Sequence, residues 1–277
     1  ANGDGTNNGD RIYTTERRIS PPCNLTQKPV VTSVVNGASF QSPWNTGALI
    51  SVFGRNFGPA GAKRTVSDED LVSQQFPQSL ACMAVTLNGQ NAPIVYVQPD
   101  QINLQAPKLA GVGSVNVVAI ANPGAANELR SDPVTINTQN TFAPAFFTFN
   151  GTSVAATSAD GRTPVANAAV TPAGSPAHPG DIVVLYGTGF GPTDPAYSPG
   201  EIPSEAARVT APTNVMIGGI SIAPSDIQYV GLSPQSICGL DQVNVKLPES
   251  LPDGDAPVSI SVGGMQSPAG TTLPVKR

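Results

Sequence analysis

From Gly47 to Pro59 the chain reads GALISVFGRNFGP: a glycine, six mainly apolar residues, a second glycine, two variable residues, then Phe-Gly-Pro. This pattern predicts a half-buried strand that leaves through a glycine into a turn pinned to the core by an aromatic ring. The pattern returns without a gap at GDIVVLYGTGFGP, Gly180 to Pro192, an offset of 133 residues. Repetition on this scale signals two copies of one structural unit.

The correspondence continues in order. VTLNGQNAPIVYV (Val85 to Val97) matches VMIGGISIAPSDIQYV (Val215 to Val230), each predicting two strands joined through a hairpin dipeptide, Asn88-Gly89 or Gly218-Gly219. QINLQAP (Gln101 to Pro107) matches QVNVKLP (Gln242 to Pro248), and SVNVVAI (Ser114 to Ile120) matches PVSISVG (Pro257 to Gly263). The starts VVTSVVNGASF and AFFTFNGTSVAA also rhyme. Roughly seven short antiparallel strands per half describe a β-sandwich of immunoglobulin type. The expected fold is all-β: two tandem immunoglobulin-like sandwiches, residues 30–138 and 139–277, preceded by an extended arm, residues 1–29. A Thr/Asn/Pro linker runs around Asn137 to Pro144, and Ala155 to Pro176 reads as a long surface loop. In the insertion from Lys63 to Pro77, Ser67 is placed to cap one helical turn.

The G-x-G-x-G spacing in LYGTGFGPTD, Leu185 to Asp194, invites a phosphate-binding reading. Such a cradle needs a helix to follow it, and the prolines at 192, 195 and 199 forbid one. Gly54, Phe57, Gly58 and their counterparts Gly187, Phe190, Gly191 are therefore read as structural turn motifs.

Composition supports this picture. The 28 Gly and 28 Pro lie between apolar runs as punctuation, and charged residues are only 12% of the chain. The net charge of −5, without a Lys/Arg cluster, argues against nucleic acid as a partner. No apolar run is long enough to span a bilayer as a helix. The small residue Ala1 is what signal-peptide cleavage would leave, giving the expectation of a secreted, extracellular or cell-surface protein. Cys23, Cys82 and Cys238 allow one intrachain bridge in three pairings, with one thiol left over for a free or intermolecular role.

Enzyme chemistry finds little footing. His178 is the only histidine, no G-x-S-x-G elbow accompanies it, and a histidine between Ala177 and Pro179 reads as solvated loop. Asp160-Gly161 and Asp253-Gly254-Asp255 are turn chemistry before they are acids or calcium ligands, and the same holds for Asp68, Glu69 and Asp70. No catalytic residue, cofactor or metal is expected. Trp44 falls outside the repeat, in the loop before a strand, with half-buried packing favoured over ligand contact.

The segment before Val30 has no counterpart ahead of the second copy. Within it Arg11, Ile12, Tyr13, Thr14, Thr15, Arg17, Arg18 and Ile19 form a run of high β propensity that ends at Pro21-Pro22. Such a strand either folds back on its own domain or adds to the sheet edge of another copy, and the second option polymerises head-to-tail. Residues 1–28 carry 4 cations and 3 anions against 10 and 16 in the remainder, so a slightly basic arm faces an acidic body. Cys23, at the joint, is a candidate to bridge to Cys82 or Cys238 of the next subunit.

VVNGASFQ, GALISVFGRNFGP, VTLNGQNAPIVYVQPDQINLQAP, GDIVVLYGTGFGP and GLDQVNVKLP together resemble the C-terminal domain family of secreted acidobacterial proteins, whose halves are similar to IPT/TIG-type immunoglobulin folds. The resemblance covers about residues 30 to 277 and implies an extracellular, non-catalytic module. The leading expectation is a secreted structural protein that is its own partner, a homopolymer joined by the N-terminal strand into a filament or surface layer. The alternative is a monomeric adhesion module binding carbohydrate or protein.

Overall fold

The apolar strands and glycine exits read from the sequence form two sandwiches in a computed structural model that describes residues 23–110, 113–138 and 141–277. The first contains β1 (Val30–Asn36), β2 (Leu49–Arg55), β3 (Arg64–Thr65), β4 (Met83–Leu87), β5 (Gln90–Asn91), β6 (Ile94–Gln98), β7 (Gln101–Gln105), β8 (Gly113–Ala121), β9 (Leu129–Arg130) and β10 (Val134–Thr138). The second contains β11 (Ala145–Phe146), β12 (Ala156–Ser158), β13 (Ile182–Thr188), β14 (Thr193–Asp194), β15 (Ala207–Val209), β16 (Thr213–Ile217), β17 (Ile220–Ser221), β18 (Ile227–Leu232), β19 (Asp241–Lys246), β20 (Gly254–Val262), β21 (Met265–Gln266) and β22 (Thr272–Val275). Among the described residues the helical content is two short 3-10 turns, one of them Asp68–Asp70 with Ser67 at its cap.

Sheet order shows the duplication. The first sandwich packs β1-β2-β7-β6-β3 against β10-β8-β4-β5, with β9 on β8. The second packs β11-β13-β19-β18-β15-β14 against β17-β16-β20-β21, with β12 on β13 and β22 on β20. All ladders between these strands are antiparallel, and even their irregularities repeat: the bulge between Ile94 and Tyr96 recurs between Ile227 and Tyr229. Each pair of inner faces buries its own apolar cluster, one around Trp44, Phe57 and Leu104, the other around Leu185, Phe190 and Val243.

Close approach explains the glycine exits. A Cβ on Gly54 would overlap Val30 O and the Phe57 ring; on Gly187 it would lie 2.6 Å from Ala145 O and 2.8 Å from Phe190 Cζ. The bare glycine lets the aromatic ring three residues later fold over the strand end while the edge strand pairs alongside. Phe57 and Phe190 are both fully buried. Gly58, by contrast, has open space around it, so the second glycine of the first motif is not demanded by packing.

One loop expectation changes. Ala155 to Pro176 is not all surface: β12 pairs with β13, and Val165 and Ala166 are buried. The residues after Gly191 include β14, which pairs with β15, so an edge strand follows the glycine run.

Strand direction fixes the poles of the molecule. Leu49 and Thr188 meet where the sandwiches touch, so Arg55 and Ile182 mark the far ends. Val30 pairs with Arg55, and Cys23 is bonded to Cys82 beside Met83 at that far pole. Ile182 pairs with Lys246, and Arg277 N donates to Asp253 just before Gly254, which pairs with Val275. Cys23 and Arg277 thus lie at opposite ends of the long axis.

Of the three possible cysteine pairings, the structure holds Cys23–Cys82, with Cα atoms 5.4 Å apart, and leaves Cys238 as a buried thiol. A bridge from Cys23 to a neighbouring subunit is thereby replaced by a bridge within the chain. Residues beyond the bridge also lie on the first sandwich. Leu25 N donates to Asn122 Oδ1, Asn122 Nδ2 donates to Leu25 O, and Lys28 pairs with Asp132 at 2.7 Å.

Candidate functional site between the sandwiches

The junction is made of fixed polar contacts. Thr188 Oγ1 accepts from Leu49 N at 2.8 Å and donates to Gly239 O at 2.7 Å. Gln105, fully buried at the end of β7, donates through Nε2 to Gly47 O and accepts at Oε1 from Gly200 N at 2.6 Å. Asn36 Nδ2 donates to Ala143 O in the connection between the sandwiches. Buried amides with both ends engaged hold geometry, because separating them would strand polar groups away from water.

A hairpin strap reinforces the joint. Ser73 and Gln74 turn with positive φ, Gln75 bridges to Glu201, Phe76 N donates to Gly200 O and Ile202 N donates to Gln74 O. On its other side the Glu201 segment accepts from Cys238 N. Gly239, at φ +97°, brings its backbone so close to Gly47 O that any Cβ there would overlap it.

Beside this joint opens a cleft of about 490 Å³ walled by both sandwiches. Asn45, Ala48 and Leu109 contribute from the first; Leu232, Cys238 and Asp241 contribute from the second, and all six are buried. Lys108 and Tyr197 stand at the rim, Lys108 exposed and Tyr197 half-buried. The walls are largely apolar with a few polar groups, the usual make-up of a small-molecule site.

The notable polar group is Asp241. It is 3% exposed, and among the described residues its side chain accepts a hydrogen bond from Phe190 N to Oδ2 at 3.0 Å. Burial pushes the carboxyl up to about 8, against the opposing effect of the Phe190 bond. The Cys238 thiol is pushed up to about 11, first by burial, with Asp241 and Glu201 adding to the rise and Gln105 opposing it. Tyr229 is raised by burial as well; its hydroxyl donates to Leu232 O at 2.7 Å and accepts from Ala207 N at 3.0 Å. A neutral carboxyl and an un-ionised thiol make the cleft floor uncharged at neutral pH. A thiol held in this form is a poor nucleophile.

Of the residues singled out from sequence, Cys238 and Gly191 line the cleft and the other described ones fall elsewhere. Gly54, Phe57, Gly187 and Phe190 form the strand-end pins, and Gly191 lines the cleft. Arg11, Ile12, Tyr13, Thr14, Thr15, Arg17, Arg18 and Ile19 lie outside the described residues. His178 is exposed, its Nδ1 3.3 Å from Asp181 Oδ2. Trp44 is 0% exposed in the core, with no partner for its Nε1. Asp70 is engaged by Arg64 and by the Ser67 cap. Among the described residues no group of three or more His, Cys, Asp or Glu is gathered as metal ligands.

Asp241 and Gln105 were missed, and Cys238 was read only as a bridge partner or leftover thiol. A signal was present: the offset between the copies is 133 residues at Gly47 and Gly180 but 141 at Gln101 and Gln242. The eight extra residues are Ser233–Leu240, the loop that carries Cys238 and Gly239 into the joint.

No family model matches the chain, and no curated protein does. Among solved structures it is similar to the plexin A4 extracellular region at 14% identity, covering 95% of this chain and 20% of that one, with a TM-score of 0.29. A Bacteroides ovatus mixed-linkage glucan utilization protein, solved with a mixed-linkage heptasaccharide, matches at 11% identity over 84% of this chain and 43% of its own, TM-score 0.34. The fibronectin(III)-like modules of Clostridium thermocellum CbhA match at 12% identity over 90% of this chain and 94% of theirs, TM-score 0.22. The chain spans about a fifth of the plexin chain, and at these scores the fold rests on its own sheets: all-β, two immunoglobulin-like sandwiches in tandem.

Proposed function

We propose that this chain is an extracellular, non-catalytic binding module that takes a small ligand in the cleft between its two sandwiches. The observation that carries the reading is the cleft itself: both domains wall it, and a network of buried hydrogen bonds through Gln105 and Thr188 holds those walls in register. A pre-formed site with fixed walls loses little freedom on binding. The Cys23–Cys82 disulfide suits an oxidising, extracellular setting, and no helix among the described residues is long and apolar enough to cross a membrane. Resemblance to the secreted acidobacterial C-terminal domains stands as part of this proposal.

The test uses three probes of one shape and different charge: benzylammonium, benzyl alcohol and benzoate, at millimolar concentration. Backbone amide shifts at Ala48, Leu109 and Gly239 with at least one probe are expected. Shifts with none of the three would reject the cleft as a binding site.

A second reading, head-to-tail assembly through residues 11–19, is favoured by one observation. The chain reaches the first sandwich at one pole and Arg277 lies at the other, so end-to-end contact would extend the long axis. Deleting residues 1–22 is expected to abolish any filaments seen by electron microscopy of the intact chain. Filaments that survive the deletion would remove the arm as connector.

A further inference from the structure

The cleft floor is short of a partner of one particular kind. Asp241 is a carboxyl 3% exposed in the cleft wall, with one backbone N–H donating to it. The titratable groups within electrostatic reach of it are Tyr229 and Cys238; Arg208 and Tyr197 act on Tyr229, Glu201 acts on Cys238, and Lys108 and Tyr197 stand at the rim. None forms an ion pair with it among the described residues. Arg208 is committed elsewhere, stacked over the Tyr229 ring at 5.1 Å and donating to Gln228 O. On the opposite wall Asn45 Oδ1 is buried with no donor at all. The two walls thus hold two under-used acceptors, while a donor in the same lining, the Gln105 amide, is engaged by Gly47 O.

Resting on the binding reading above, we propose that the cleft ligand is a small apolar molecule carrying an ammonium group, which forms an ion pair with Asp241 while its hydrocarbon part lies against Ala48, Leu109 and Leu232. An ammonium supplies hydrogen-bond donors and the missing positive charge together, and its pairing strengthens away from water. A neutral donor supplies only the first, and an anion would meet a carboxyl. The hydrocarbon part is required because the rest of the wall offers apolar contact.

Proton linkage gives the pairing its signature. The free carboxyl carries a proton at neutral pH, since burial lifts it to about 8. An ammonium pairs with the ionised form, so binding expels that proton into the buffer. Affinity for an ammonium therefore rises about tenfold per pH unit up to about pH 8 and then levels off, whereas a neutral ligand follows no such slope.

The test compares benzylammonium with benzyl alcohol by titration calorimetry of the full chain at about pH 6, in two buffers of different ionisation enthalpy. The expected result is that benzylammonium binds about tenfold or more tighter than the alcohol and releases close to one proton. In Asp241→Asn the preference and the proton release disappear, with folding checked by thermal melting. Lys108→Glu is a second variant on the exposed rim, safe for folding, and it is expected to raise benzylammonium affinity a few-fold by removing a like charge. Equal binding of the alcohol and the ammonium, or binding without proton release, overturns the ammonium assignment while leaving the cleft reading intact. Failure of all three probes to bind overturns the cleft reading itself.

Discussion

Phe57 and Phe190 do the same job in the two sandwiches, yet their backbones are served differently. In the first sandwich a two-residue turn, Pro99-Asp100, joins β6 to β7 and passes over the ring: Phe57 N donates to Pro99 O at 3.0 Å and Gly54 N to Asp100 O at 2.9 Å. The Asp100 side chain stays exposed and accepts from Gln98 Nε2. In the second sandwich the loop Ser233–Leu240 replaces that turn, its neck closed by Ser233 N to Leu240 O. The carbonyl that aligns with Pro99 O, that of Leu232, accepts from the Tyr229 hydroxyl, and the carboxyl of Asp241, which aligns with Asp100, accepts from Phe190 N. A single loop insertion therefore does two things. It supplies Cys238 and Gly239 to the joint between domains, and it turns a surface aspartate into a buried one.

The largest effects should come from the pins that the two copies share. Phe57→Ala and Phe190→Ala each remove a fully buried ring and are expected to cost about 3–5 kcal/mol, read by calorimetry of the whole chain. Comparable losses would show that the motif works equally in both copies; a much smaller loss at Phe190 would mean that the longer loop has taken over part of its role. Gly54→Ala and Gly187→Ala come next, at about 1–3 kcal/mol each, because the added methyl meets backbone as well as ring. The Gly54 change should be the worse of the two, since its Cβ would sit closer to both obstacles. The reverse order by urea denaturation would show that the first edge strand yields more easily than its packing suggests.

How far the sequence could be read follows from the same comparison. Motifs that repeat announced themselves: both glycine exits, both aromatic pins, the hairpins at Asn88-Gly89 and Gly218-Gly219, and the stacked pairs Gln101–Asn103 and Gln242–Asn244, which reappear as matching hydrogen bonds at 2.7 and 3.1 Å. These are local, and local patterns are what a sequence displays. The cleft was invisible because its polar groups come from segments with nothing in common in sequence: Asn45 before β2, Gln105 at the end of β7, and Asp241 after an insertion. Nothing in the string SICGLD distinguishes a buried aspartate from an exposed one. Trp44 illustrates the same limit, since its loop position suggested partial exposure and tertiary packing sealed it completely.

Asp241→Asn sharpens the contrast through pH. The unfolded chain holds this carboxyl near its ordinary 3.8, while the folded one holds it near 8, so between those values the folded state keeps a proton that the unfolded state has released. Its contribution to stability is full below about pH 4, falls by at most about 1.4 kcal/mol per unit as pH rises towards 8, and is flat above that. Asparagine keeps an acceptor for Phe190 N and does not titrate. The gap between variant and wild type in urea denaturation should therefore move in favour of the variant from about pH 5 to about pH 8. A gap that stays constant would show that water reaches the carboxyl.

Asp100→Asn is the control, and the smallest effect. The bonds that fix Phe57 and Gly54 go to the carbonyl oxygens of Pro99 and Asp100, which any side chain at position 100 leaves in place. What the substitution alters is an exposed contact with Gln98 Nε2, and asparagine still offers an oxygen there. A change within about 0.5 kcal/mol is expected by urea denaturation, as for an ordinary surface position. A loss well above 1 kcal/mol would mean that the side chain, and not the turn backbone, holds the first pin, in which case the two aspartates would be doing the same work and the inserted loop would no longer explain why only one of them is buried.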